Sequence, residues 1–132
     1  MLEEFEHLNE EEKEVLFNAP VYVSVLMAGA DDNIDKKEKN LAISLAKMKT
    51  YRARKILVPY YNSLHKDFED RMNQMIEDLP SSAKERNPII ESQLERLNDI
   101  LPKLEYRFSS QFYESLRDFA KQVAEASGGI FG

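Results

Sequence analysis

No cysteine occurs in the 132-residue chain. Disulfides and thiolate metal sites are therefore excluded, and a reducing cytoplasm is compatible with the composition. Histidine is scarce. His7 and His65 are the only imidazoles, and neither stands in an HExxH or similar zinc spacing. GxSxG is missing, so a serine nucleophile has no elbow to sit on. Glycine-rich phosphate loops are missing too; Gly128-Gly129 reads first as a helix stop. Four glycines and five prolines are too few for an extended or disordered chain. No apolar run approaches the roughly 20 residues that cross a bilayer. The acidic start MLEEFEHLNEEEKE lacks the basic and apolar regions of a signal peptide. These absences argue against an enzyme and predict a cytoplasmic protein without a transmembrane segment.

What is present is enough apolar material for a core. Hydrophobic residues make up 42% and charged residues 32%, and the length suits one domain over residues 1–132. Residues 1–8 are expected to be disordered. Net charge is −6, but it is unevenly placed. Residues 3–14 hold seven glutamates and one lysine, whereas residues 36–55 hold eight Lys/Arg and only Glu38. Either these two stretches pair within the fold, or the basic one faces an acidic partner.

The apolar spacing is helical throughout, and no stretch alternates with period two for long enough to make a strand. Asn9 before Glu10, Glu11 and Glu12 predicts an N-cap with negative charge in the first turn. Pro20 is expected to close that short helix and restart the chain as N1 of a second, about 20–31. This second helix is apolar nearly all round and therefore buried. A helix over about 35–49 follows, with Leu41, Leu45 and Met48 on its stripe. Tyr60–Leu79 carries Leu64, Phe68, Met72, Met75 and Ile76. Asp67 and Arg71 form an i,i+4 pair there. After Pro80, a capping-box-like start at Ser81–Glu85, or one at Asn87 before Pro88, leads into the stripe Ile90, Leu94, Leu97, Leu101. The last helix, about 103–127, carries Leu104, Phe108, Phe112, Leu116, Phe119 and Val123. The total is six or seven helices in an all-α fold. LMAGADD (26–32) and QVAEASG (122–128) echo each other weakly, which suggests an internal duplication around two central buried helices.

The most concentrated chemistry lies between the second and third predicted helices. Asp31, Asp32 and Asp35 with Glu38 offer oxygen ligands suited to a hard divalent cation, Ca²⁺, Mg²⁺ or Mn²⁺. The EF-hand pattern fails, because the sixth position from Asp31 is Lys36 rather than glycine and the twelfth is Ala42 rather than glutamate. The competing reading is structural: Asp35 and Glu38 make a capping box, while Asp31 and Asp32 form the turn.

The stretch MAGADDNIDKKEK resembles the tellurite-resistance TerB-like family. Ala28, Ala30, Asp31, Ile34 and Glu38 match its pattern, and Asp32-Asn33 stands where that family often has Asp-Gly. VAEASGGIFG resembles the family's second loop entrance, and the sequence stops at Gly132 before the helix start that follows there. The resemblance implies a multihelical fold of two related three-helix units about a pseudo-twofold axis. It also implies a non-enzymatic bacterial stress-response module linked to metal or oxyanion stress.

Elsewhere the ordinary readings prevail. Lys47, Lys49, Arg52, Arg54 and Lys55 with Tyr51 form a basic patch. Net negative charge opposes the phosphate attraction that nucleic-acid binding needs, so a solvated helix end is favoured. Met27, Met48, Met72 and Met75 lie on apolar stripes as core residues. His65, between Tyr61 and Glu69, reads as a helix-face histidine. Expected partners are proteins, a second copy of the chain included, and not nucleic acid. A purely structural interaction domain, with partners docking on a helix face, is the alternative to a cation-binding module.

Overall fold

The computed structural model describes residues 5–29 and 34–126. The chain is all-helical, with no strand among the described residues. Its elements are α1 (Glu10–Ala28), α2 (Lys36–Arg52), α3 (Val58–Asp78), α4 (Ala83–Glu95), the four-residue α5 (Leu97–Ile100) and α6 (Tyr106–Ala126). Short 3-10 turns occur at Lys55–Leu57 and Leu101–Lys103. Five of these helices, 13 to 21 residues long, carry the structure. No described helix is long and apolar enough to cross a membrane.

Pro20 stands where the sequence predicts a break between two helices. It does not divide two helices; it lies inside one continuous α1. A proline within a helix removes one i→i−4 hydrogen bond, here the one that the Leu16 carbonyl would accept. That carbonyl instead accepts from the buried Tyr60 hydroxyl at 2.6 Å. One turn later the Ser24 hydroxyl donates to the Pro20 carbonyl at 2.8 Å. The missing donor is therefore replaced from α3, and α1 passes through the proline unbroken.

α1 packs against all five other helices. Leu16, Ala19, Val21, Val25 and Ala28 are buried along it, as its apolar composition predicts. α6 differs from the expected second central helix. It buries the single stripe Phe108, Phe112, Leu116, Phe119, Val123 and leaves Tyr106, Tyr113 and its charged face in solvent. The two halves are also unequal: α1–α3 have 19, 17 and 21 residues, whereas α4–α6 have 13, 4 and 21. The predicted 90–101 stripe breaks between α4 and α5 at Arg96, and α6 begins at Tyr106 rather than 103.

The leading segment is folded where it is described. Phe5 is 1% exposed and meets Phe17, Tyr60 and Phe108 edge-on at 5.5, 6.2 and 5.7 Å. Phe17 stacks on Tyr60 at 5.4 Å, and Phe112 meets Tyr60 edge-on. Burying an aromatic side chain against such partners offsets the entropy of ordering residues 5–8 ahead of α1.

Tyr61 turns inward as well, sharing a hydrogen bond of 2.5 Å with the Ser115 hydroxyl. It therefore forms no surface cluster with His65. Burial raises its phenol to about 12 from an ordinary 10.0; the Ser115 bond opposes the shift and Asp118 adds to it. Burial pushes Tyr60 well upward too. A phenol whose folded pKa exceeds its unfolded value favours the fold below the unfolded pKa and loses that contribution as pH rises through the folded one. Stability is therefore expected to decline between about pH 10 and pH 12. Base titration should show tyrosinate absorbance rising together with the loss of helical circular dichroism.

Candidate functional site

The acidic corner joins α1 to α2. Asp35 is the N-cap of α2. Its Oδ1 accepts from the Glu38 N–H at 2.7 Å, and Glu38 Oε1 accepts from the Asp35 N–H at 3.1 Å. This is the reciprocal box that the Asp-x-x-Glu spacing predicts. Asp31 and Asp32 lie outside the described residues, so of the four candidate ligands only Asp35 and Glu38 are placed. Among the described residues no group of three or more His, Cys, Asp or Glu side chains is arranged to hold a metal ion.

Sequence reasoning missed the principal cation at this corner. Arg86, on the first turns of α4, is 3% exposed. Its Nη2 donates to the Gly29 carbonyl, at the C-cap of α1, and its Nη1 donates to Ser81 O at 3.2 Å. A helix C-terminus presents unpaired carbonyls and a partial negative charge, so a guanidinium is well matched to it. Gly29 leaves room for the close approach. A Cβ there would collide with Arg86 Nη2 and lie 2.8 Å from Val25 O and 2.9 Å from Ile34 Cγ1. One signal for Arg86 was available. A basic residue in the first turns of a helix opposes the helix dipole, which suggests that its side chain is engaged elsewhere. The capping-box-like start at Ser81–Glu85 does not form as expected: α4 begins at Ala83, and its N-cap Ser82 makes no side-chain cap bond.

The charge asymmetry resolves clearly. Among the described residues, no glutamate of the acidic start pairs with residues 36–55. Glu11 faces Arg96 at 3.5 Å, Glu12 takes a hydrogen bond from Lys103, and Glu14 pairs with Arg71 at 3.1 Å. The Lys103 hydrogen bond, followed by the Asn9 amide, holds Glu12 below the ordinary carboxylate value. Arg71 also bonds Asp67 at 3.1 Å and Asn18 at 2.9 Å, with its guanidinium over the Phe17 ring. Its side chain lies in a cleft of about 420 Å³ between α1 and α3 that Tyr22, Asp70 and Asp78 also line.

The basic stretch is largely left to solvent. Arg54 lies 3.8 Å from Glu114, and Lys49 is half-buried, its amine pulled below the ordinary value by burial while Asp118 opposes the shift. Lys36, Lys37, Lys47 and Arg52 form no ion pair among the described residues. His7 is exposed and His65 half-buried.

No protein-family model, curated protein or solved structure matches the chain.

Proposed function

We propose that the chain is a non-enzymatic binding module on a TerB-like plan, in which the acidic corner serves as turn and helix cap and partners dock on a helix face. The observation that carries this reading is the reciprocal Asp35–Glu38 box, which engages one oxygen of each carboxylate with a backbone N–H. The buried Arg86 guanidinium at Gly29 adds positive charge at the entrance to the same corner, where a second cation is disfavoured. The TerB-like stretch 27–39 is the ground for a role in a bacterial stress response.

Calorimetric titration with Ca²⁺, Mg²⁺, Mn²⁺ and Zn²⁺ tests the role of the corner. The expected result is no saturable heat at millimolar metal. Saturable heat that vanishes in an Asp31→Asn/Asp32→Asn variant would replace the cap reading with a divalent-cation site at Asp31, Asp32, Asp35 and Glu38. As a cap, Asp35 should show its effect in stability. Asp35→Ala is expected to lower the unfolding free energy by about 1 kcal/mol in urea denaturation, equally with and without added metal.

A further inference from the structure

Building on the binding-module reading, we propose that the outer face of α2 docks an acidic amphipathic helix of a partner protein. Leu41, Leu45 and Met48 recur at i, i+4 and i+7, so they form one row along the helix axis. The row is open: Met48 is 39% exposed, and Leu41 and Leu45 are half-buried. Lys37 and Arg52 stand at its two ends and Lys47 lies about a third of a turn round from it, all three exposed. From Lys37 to Arg52 the face spans roughly 22 Å, about four helical turns. Two depressions interrupt it. One, shallow and open to solvent, lies beside Lys37, Leu41 and Ser44, and one of about 40 Å³ lies between Leu45, Met48 and Gln122. A row of apolar residues with hollows beside it suits the side chains of a second helix laid along the first.

Charge identifies the chemistry of the occupant. The chain carries net charge −6, yet on α2 the exposed charged side chains Lys37, Lys47 and Arg52 are positive and form no ion pair among the described residues, while Glu38, the one acid of α2, is half-buried in its cap. The acidic residues of α1 are engaged by Arg71, Arg96 and Lys103, so they do not neutralise these cations. Glutamates or aspartates flanking an apolar stripe would complement both the row and its cations. A second copy of the chain does not supply that combination. Its acidic face along α3 carries Asp70, Glu77 and Asp78 with no exposed apolar row, and its acidic face along α4 carries Glu85, Glu91 and Glu95 with the single exposed apolar residue Ile89. A bilayer is a poorer match as well, because α2 is fixed to the core through Ala42 and Ala46 and cannot roll to sink a broad apolar face into a membrane.

The test uses the full chain and a synthetic helical peptide of about four turns, with leucines at i, i+4 and i+7 and glutamates beside them. Fluorescence anisotropy should show saturable binding, with Kd on the order of 100 µM or tighter, that weakens as salt is added. Lys37→Glu/Arg52→Glu should weaken it about tenfold or more. A peptide with lysines in place of the glutamates should bind that variant and not the wild type, which separates a charge effect from misfolding. Equal binding of a scrambled peptide, or binding unchanged by the charge reversal, would overturn the assignment. So would retention on phosphatidylserine vesicles without peptide binding, or a dimer in sedimentation that the charge reversal abolishes. Each of these outcomes is independent of the metal titration, so the two readings fail separately.

Discussion

Arg86→Met is expected to lower the unfolding free energy by about 3 kcal/mol, the largest single-residue effect at the acidic corner. Methionine keeps much of the apolar stem of arginine but donates nothing. The carbonyls of Gly29 and Ser81 then lose a charged donor in a site that is nearly closed to water. Arg86→Lys should recover part of the loss, since one ammonium does not reproduce the fork that reaches both oxygens. Urea denaturation measures the totals, and amide exchange measures where the loss falls. Protection should drop first in the last turn of α1 and the first turn of α4. A loss below about 0.5 kcal/mol, the ordinary range for surface substitutions, would mean that Arg86 does not hold these two helix ends together. Gly29→Ala should destabilise the same junction without removing any donor, because the added methyl meets the Val25 carbonyl as well as the arginine.

Tyr60→Phe is expected to destabilise the protein by about 2 kcal/mol, since it strands the buried Leu16 carbonyl and little else changes. The decisive measurement is the same substitution made in a Pro20→Ala background. Alanine restores an N–H at position 20, and that N–H can donate to Leu16 along the helix. Tyr60→Phe should then cost roughly 1 kcal/mol less than in the parent chain, read as the coupling energy of a double-mutant cycle. Additive losses would show that the hydroxyl does not substitute for the absent amide.

Much of the fold was legible because its determinants are local. The caps at Asn9 and Asp35 each need a partner only three residues away, and both form as the spacing predicts. The stripes Leu64, Phe68, Met72 and Phe108, Phe112, Phe119 needed only helical geometry and a core to face. Departures came where a distant residue decides. Pro20 reads as a helix break until Tyr60, from 44 residues beyond Leu16, supplies the lost donor. Arg86 looks like a surface cation until Gly29, 57 residues earlier, is found beneath it. Phe5 looks like part of a loose leader until rings from α1, α3 and α6 surround it. Half of the candidate site followed the same local logic: the Asp35–Glu38 pair is a matter of three-residue spacing. Asp31 and Asp32, beyond the described residues, were legible only as composition. The basic residues of α2 were visible in sequence as a run of lysines, but only the structure shows that Lys36, Lys37, Lys47 and Arg52 form no ion pair among the described residues.

The central position of α1 has a consequence during synthesis. It leaves the ribosome before every helix that covers it, and α6 leaves after all the others. At ordinary translation speeds its greasy second half therefore waits on the order of ten seconds for its last shelter. For that interval the nascent segment around Val21–Ala28 exposes apolar side chains that the finished fold buries.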